Sequence, residues 1–225
     1  MLKEQYHRLE NKIPFIKILK NIYCKMLGKG MPRRYKYLFK AIRENKARKI
    51  MEIGTWRGEH ALEMIQEAKK YFAPEEIEYY GFDLFELLDH ENSVKEFSIP
   101  PPPLEIIQNK LKKTGANIHL YKGYTKDTLP KVINELPEMD FIYIDGGHSI
   151  ETIKNDWEYA QRLMHENTVV IFDDYWNRDD AGCKKVVEGI DKNNFKVEIL
   201  PIQDKFKKEW GVLKINFVKV RRKIT

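Results

Sequence analysis

Short apolar runs and longer amphipathic stretches alternate along the chain from residue 48 onwards. Runs of the length typical of buried strands lie at 49–54, 77–83, 118–121, 141–145 and 168–173. Stretches with apolar residues at helical spacing lie between and after them, at 59–71, 128–136, 150–164 and about 182–191. Two strand-like runs, 195–200 and 212–220, follow and are separated by a polar loop. This alternation predicts an α/β fold with a doubly wound, mostly parallel sheet.

The first 47 residues have a different pattern. In 13–29 apolar residues recur at helical spacing with lysines on the opposite face, and a second helix is predicted at 34–45. We therefore expect a basic helical cap over 1–47 and one domain over 48–225. The composition of 13–29 is that of an interfacial membrane anchor, but such helices also pack on their own domain or on a second subunit. Peripheral membrane contact and a homo-oligomer both remain open.

A less regular segment, 84–116, contains the four prolines 100–103, which cannot continue a helix or a strand ladder. Within it, loop 84–103 is long enough to be either a lid over the acceptor or a plain surface excursion.

The net charge of +6 over 225 residues is unevenly distributed. Residues 1–49 carry 15 basic and 3 acidic side chains and residues 205–225 carry 8 and 1, whereas 50–204 carry 17 and 30. Such an acidic centre disfavours nucleic acid as the partner. The two cysteines are too few for a disulfide scaffold or a thiolate zinc site. With no apolar run of about 18 residues and no signal-like start, we expect a cytoplasmic protein.

A glycine-containing turn, Glu52-Ile53-Gly54-Thr55-Trp56-Arg57-Gly58, follows the first predicted strand. Gly54 permits a tight turn, and Gly58 lets the start of the next helix approach a ligand. The turn lacks the middle glycine of the dinucleotide fingerprint, which disfavours a nicotinamide-dependent oxidoreductase and suits a nucleoside cofactor without phosphates. An ordinary strand–helix turn is the alternative.

The next two predicted strands end in residues suited to a nucleoside. Asp83 can accept hydrogen bonds from both ribose hydroxyls. Gly123, Tyr124 and Thr125 follow the third strand, where Tyr124 either lies against an adenine ring or forms a surface turn.

Three carboxylates end two further strands. Asp145 lies in Ile-Asp-Gly-Gly-His148, and Asp173 and Asp174 lie in Phe-Asp-Asp-Tyr. Parallel strands bring these ends to one edge of the sheet, where the carboxylates repel one another unless a cation compensates. Oxygen ligands indicate Mg²⁺ or another hard divalent cation. In the alternative interpretation, the Asp145 and Asp174 side chains cap a loop and a helix.

These motifs, in this order, resemble class I S-adenosylmethionine-dependent methyltransferases. The resemblance covers roughly 48–220 and is strongest with metal-assisted O-methyltransferases of the catechol type and the macrocin-like sugar type. It implies a Rossmann-like, seven-stranded sheet whose last strand is antiparallel. It also implies cofactor contacts at Glu52, Gly54, Thr55, Gly58 and Asp83, with metal ligation by Asp145, Asp173 and Asp174 and a general base at His148. A capping or hydrogen-bonded structural histidine is the alternative for His148.

From their places beside these motifs, we add further residues to the expected site. The cofactor set then also includes Trp56, Gly123, Tyr124, Thr125 and Asp145, and Asp145 joins His148 as a catalytic residue. Two features depart from the family pattern: His165-Glu166-Asn167-Thr168 replaces the usual Pro-Gly-Gly turn, and Asp174 stands where catechol-type enzymes often have Asn. The second departure adds negative charge and strengthens the need for a cation.

The expected reaction is methylation of a hydroxyl on a small molecule or sugar, with S-adenosylmethionine as cofactor and Mg²⁺ as the assisting ion. A divalent ion would lower the pKa of the hydroxyl and orient it, while His148 takes the proton. Two alternatives stay open. One is a metal-independent methyltransferase of the same fold, and the other is a membrane-surface or partner-binding module without catalysis.

Overall fold

A computed structural model describes residues 32–223. Seven strands form one sheet: β1 Lys49–Ile53, β2 Glu78–Asp83, β3 Asn117–Lys122, β4 Met139–Ile144, β5 Met164–Trp176, β6 Phe195–Lys208 and β7 Gly211–Arg222. The described residues also form seven α-helices: α1 Lys36–Asn45, α2 Glu59–Ala68, α3 His90–Lys95, α4 Leu104–Lys112, α5 Thr125–Val132, α6 Ile150–Ala160 and α7 Lys184–Glu188.

The strand order is β3-β2-β1-β4-β5-β7-β6. Strands β1 to β5 pair in parallel, and β7 is antiparallel to both β5 and β6. The predicted mostly parallel, seven-stranded sheet is therefore confirmed. From β1 the strands follow in order to one edge of the sheet, whereas from β4 they are added on the other side. The carboxyl ends of β1 and β4 therefore form a crevice at this switch point.

Apolar side chains cover both faces of the sheet. On one face α5, α6 and α7 pack over a cluster that includes Phe172, Met51 and Trp157. On the other face α1, α2 and α4 pack over a cluster that includes Tyr79 and Phe141. The central strands β1 and β4 are mostly apolar because both of their faces are buried.

Helix α1 belongs to this second layer. Its apolar face, with Leu38 and Ile42 fully buried, joins the same cluster as Ile50 of β1. The predicted helix at 34–45 thus corresponds to α1 with the preceding 3₁₀ turn Arg33–Tyr35. The predicted helix 13–29 lies outside the described residues. No helix within 32–223 is long and apolar enough to cross a membrane.

Three expectations about local structure were wrong. Segment 84–116 contains two helices, α3 and α4, because the Asp89 carboxylate caps α3 and Pro103 directly precedes α4. The expected polar loop at 201–211 is mostly strand, since β6 continues to Lys208 and pairs with β7 in a long hairpin. The second half of β6 alternates between polar and apolar residues and contains too few apolar ones for the sequence to predict a strand there. Helix α5 begins at Thr125, three residues earlier than predicted.

Candidate active site

A cavity of about 1050 Å³ opens at the carboxyl ends of β1, β2, β4 and β5. Segment 84–103 and the tip of the β6–β7 hairpin extend its walls beyond the sheet. The predicted site residues Gly54, Thr55, Trp56, Asp83, Gly123, Tyr124, Thr125, Asp145, His148, Asp173 and Asp174 all line it.

The turn after β1 requires a glycine at its first position. Gly54 has φ +97°, and a Cβ built there would lie 2.0 Å from the carbonyl oxygen of Asp145. The close approach arises because β1 and β4 are neighbours, and the Asp145 amide donates to the Ile53 carbonyl oxygen at 2.8 Å. Gly54 therefore lets the two strand ends form one continuous floor.

Asp83 at the end of β2 is held by two backbone amides. The Trp56 amide donates to Oδ2 at 2.6 Å and the Phe85 amide to Oδ1 at 2.9 Å. Burial raises the pKa of this carboxyl, while the backbone amides oppose that shift. Each carboxylate oxygen retains a lone pair for a further donor, which suits two neighbouring hydroxyls.

Two predicted cofactor residues, Glu52 and Gly58, are not among the residues that line the cavity. The Glu52 side chain is buried beneath the turn and accepts a hydrogen bond from the Tyr79 hydroxyl. Burial raises the pKa of Glu52 to about 8, although the Tyr79 hydrogen bond opposes the shift. Gly58 packs against Ile107 of α4. Both residues shape the turn from behind.

The three predicted carboxylates do meet at the edge of the sheet. The Tyr143 hydroxyl lies 2.9 Å from Asp145 Oδ2 and 3.0 Å from Asp173 Oδ2, so it bridges two of them. Asp174 adopts φ +58° where the β5–β7 register shifts between Phe172 and Tyr175. This bulge breaks the strand alternation, and Asp173 and Asp174 therefore both line the cavity.

The compensating positive charge comes from the chain itself. The Arg34 guanidinium donates from Nε and Nη2 to the two oxygens of Asp173, both at 3.0 Å. His148 Nε2 lies 2.6 Å from Asp174 Oδ2, and the Trp176 indole donates to Asp174 Oδ1 at 2.8 Å. Asp173 and Asp174 thus each have a basic side chain as a partner.

With Asp173 and Asp174 engaged in this way, the structure does not support the predicted metal site. Asp173 also accepts from Tyr35 and from the Asp174 amide, which leaves its lone pairs committed. No group of three or more His, Cys, Asp or Glu side chains within 32–223 has an arrangement that could hold a metal ion. The sequence reveals the negative charge of the cluster but not the arginine that neutralises it.

His148 is held between two acceptors. Its Nδ1 lies 2.5 Å from the Glu96 carbonyl oxygen, and its Nε2 faces Asp174. Burial alone would lower the His148 pKa, but the charge of Asp174 outweighs it and raises that pKa to about 9. In this state both ring nitrogens carry protons. The ring has no free lone pair for the proton of an incoming hydroxyl.

Asp145 is the least engaged of the three carboxylates. Tyr143 donates to its Oδ2, and no hydrogen bond reaches Oδ1 from within 32–223. Burial raises the pKa of Asp145 well above its usual range, and the nearby charges of Asp173 and Asp174 add to the shift.

A family model described as a methyltransferase domain matches residues 51–175, more than half of the chain. The chain belongs to this methyltransferase family. The match begins in β1 and ends at Tyr175, so it includes Gly54, Asp83 and all three clustered carboxylates.

A curated relative is the uncharacterized protein R132 of Acanthamoeba polyphaga mimivirus. It is 24% identical over 144 residues, which are 63% of this chain and 57% of that protein. The match thus spans little more than half the length of that relative.

Solved methyltransferase structures share the fold at 16% sequence identity. The O-methyltransferase from Bacillus cereus in complex with SAH has a TM-score of 0.57, covering 99% of this chain and 100% of that one. The calicheamicin methyltransferase CalS11 has a TM-score of 0.58, with coverage of 97% and 90%. TomG from Streptomyces achromogenes, in complex with SAM, has 0.56, with 84% and 79%.

Asp156 is a residue of the methyltransferase domain that sequence reasoning missed. It lines the cavity from α6 and is fully buried; its Oδ1 accepts from Asn155, and its Oδ2 has no hydrogen-bond partner among the described residues. Burial raises its pKa to about 7. A signal was present, since Asp156 shares one helical face with Ile153, Trp157 and Ala160, where a core residue is expected.

The far end of the cavity is aromatic and basic. The Arg178 guanidinium lies 5.5–5.8 Å from the ring centroids of Phe97, Trp176 and Trp210. These rings come from segment 84–103, the end of β5 and the hairpin turn. Cation–π contacts with one arginine therefore connect three separate walls of the methyltransferase cavity.

Segment 84–103 is attached over the loop after β4 through Glu96. The Glu96 carboxylate accepts from the Ser149 amide at 2.8 Å and from the Ser149 and Thr152 hydroxyls at 2.9 Å. Phe97 and Ile99 beside it line the cavity. Of the two earlier alternatives, the structure favours a cover over the site.

Proposed function

We propose that this protein is an S-adenosylmethionine-dependent methyltransferase that methylates a hydroxyl oxygen of a small molecule or sugar. The observation that carries the proposal is one cavity that joins three parts. These are the Gly54 turn with Asp83, a carboxylate cluster centred on Asp145, and an aromatic end at Trp176. Nucleoside cofactors bind at this edge of open α/β sheets.

The described residues fit the cofactor. The Asp83 oxygens are positioned to accept the two ribose hydroxyls, and the Gly54 turn permits close approach of the backbone. Tyr124 offers a flat face for the adenine, and the Asp156 carboxyl, which lines the same cavity, is proposed to accept from its amino group. When bound, the cofactor supplies an electrophilic methyl group on sulfur.

The acceptor hydroxyl is proposed to lie between Asp145 and the aromatic wall. Asp145 Oδ1, which has no donor within 32–223, takes the proton of that hydroxyl. His148 holds Asp174 and stacks on Trp176 with ring centroids 5.2 Å apart, so it positions the wall instead of acting as the base. Methyl transfer then depends mainly on the alignment of the reacting atoms.

We further propose that the reaction proceeds without a divalent ion. The carboxylate oxygens that would ligate Mg²⁺ already accept hydrogen bonds from protein side chains, namely those of Arg34, Tyr35, Tyr143, His148 and Trp176. The metal-independent alternative from the sequence is thereby favoured over the metal-assisted one.

Partners and location stay predictions. Membrane contact or oligomer formation through 13–29 concerns residues outside those described. A cytoplasmic setting and a small-molecule or sugar acceptor are likewise expected, with nucleic acid disfavoured by the acidic centre.

Isothermal titration calorimetry tests the cofactor assignment. We expect SAM and SAH each to bind with 1:1 stoichiometry, NAD not to bind, and Asp83→Ala to weaken SAH binding at least tenfold. A matched control is Asp127→Asn on the exposed start of α5, which should bind normally. A folded wild-type protein that binds neither SAM nor SAH would overturn the proposal.

A further inference from the structure

Arg34 is a buried charge at the centre of the carboxylate cluster. It lies on the 3₁₀ turn before α1, is 4% exposed, and lines the cavity. Its two-pronged contact with Asp173 joins residues 139 positions apart in the sequence. The planar guanidinium matches a carboxylate in this way, and the bonds are stronger than those between neutral groups.

The guanidinium is also fixed from its outer side. Its Nη1 donates to Asp204 Oδ2 at 3.0 Å, and Asp204 accepts from the backbone amides of Arg33 and Arg34 at 3.2 and 3.3 Å. The Tyr35 ring lies 4.6 Å from the guanidinium carbon and the Phe217 ring 5.3 Å from it. Arg34 therefore has a defined position set by β6, β7 and its own turn.

The charge of the cluster explains why a cation is needed there. One hydroxyl, that of Tyr143, lies 2.9 Å from Asp145 and 3.0 Å from Asp173, and Asp174 follows directly, so three carboxylates share one place and repel one another when ionised. Arg34 supplies a permanent positive charge against Asp173, and the His148 ring lies against Asp174 with Nε2 2.6 Å from Oδ2. Arginine remains charged at every physiological pH.

We propose that Arg34 is the resident cation of this site and takes over the neutralising role that a divalent ion would otherwise have. The inference rests on the proposed methyltransferase function for its consequence in turnover. Its main claim is that the guanidinium blocks metal binding by occupying Asp173. This claim can be tested without knowing the methyl acceptor. Replacing Arg34 should remove its two hydrogen bonds to Asp173 and leave the cluster one positive charge short, which favours binding of a hard cation by the carboxylate oxygens.

Mn²⁺ binding followed by electron paramagnetic resonance is the direct test. With protein and Mn²⁺ each at about 100 µM, we expect the wild-type protein to leave the free Mn²⁺ signal unchanged. We expect Arg34→Met to bind about one equivalent of Mn²⁺, which lowers the free-ion signal. The double variant Arg34→Met/Asp173→Asn should bind none. Arg33→Met is the matched control, since Arg33 is the exposed neighbour, and it should behave as wild type.

Two further results complete the test. If Arg34→Met does not fold, the wild-type protein is compared with the Asp173→Asn variant. Stoichiometric Mn²⁺ binding by the wild type that disappears in Asp173→Asn overturns the proposal. If Arg34→Met folds and binds no Mn²⁺, the proposal is also overturned. Either result leaves SAM binding by calorimetry untouched, so failure here is distinguishable from failure of the proposed function.

Discussion

Both oxygens of the Asp173 carboxylate accept hydrogen bonds from one side chain, the Arg34 guanidinium, at 3.0 Å each. This pair connects the turn before α1 to the end of β5, directly under the cavity. It accounts for how a fold with three clustered carboxylates keeps them together using its own residues.

Asp156→Asn should change which purine the site prefers. At pH 8, above the Asp156 pKa of about 7, wild type should bind SAH more tightly than S-inosylhomocysteine, because the carboxylate accepts from an amino group and repels a carbonyl oxygen. The change should reduce SAH affinity about tenfold or more, the usual loss of a hydrogen bond to a charged group. Calorimetry with both ligands measures the ratio.

The asparagine amide can donate to the inosine carbonyl, so the preference should narrow or reverse in this variant. Asp127→Asn, on the exposed surface of α5, should keep the wild-type ratio. An unchanged ratio in Asp156→Asn, with SAH still bound, would show that Asp156 does not contact the base.

Gly54→Ala should abolish SAH binding and destabilise the fold. The added Cβ would meet the Asp145 carbonyl oxygen, and φ +97° is strained for alanine. Strain of this kind costs about 1–3 kcal/mol before the collision is counted. Gly189→Ala is the control, because its φ of −85° and ordinary contacts accept a methyl group. Thermal unfolding in which both variants match wild type would contradict the placement of the turn.

Glu52→Gln should flatten the pH dependence of stability. The carboxyl has a pKa of about 8 when folded against a usual 4.5, so between these values the folded state holds the extra proton. Wild-type stability should therefore fall as pH rises from about 5 to 8, by up to about 1.4 kcal/mol per pH unit from this group alone. Glutamine keeps the acceptor for Tyr79 and removes the titration. Urea unfolding at several pH values measures both slopes, and identical slopes would refute the buried, protonated Glu52.

Much of the fold could be predicted from local patterns. The apolar strands of the sheet, the turn at Gly54 and the meeting of Asp145 with Asp173 all follow from the periodicity and from the rule that parallel strands end at one edge. The extent of β6 could not be predicted, because its polar alternation only becomes a strand when β7 pairs with it.

The site was predictable where it depends on strand ends and not where it depends on distant packing. Arg34 belongs to a segment whose pattern shows only a basic helical cap, and its partner lies 139 residues away. His148 was expected to be a general base or a hydrogen-bonded structural histidine, and the sequence could not show that Glu96 and Asp174 lie beside its two ring nitrogens. Asp156 had left a signal, a charge within the apolar face of α6.

Transfer of a labelled methyl group from S-adenosylmethionine to a panel of catechols and sugars, in excess EDTA, tests the central claim most directly. We expect wild type to methylate at least one acceptor at a rate within twofold of that with Mg²⁺ (a difference of about 0.4 kcal/mol in the barrier). Asp145→Asn should lose that turnover while still binding SAH. Turnover that appears only with Mg²⁺ and vanishes in EDTA would contradict the account.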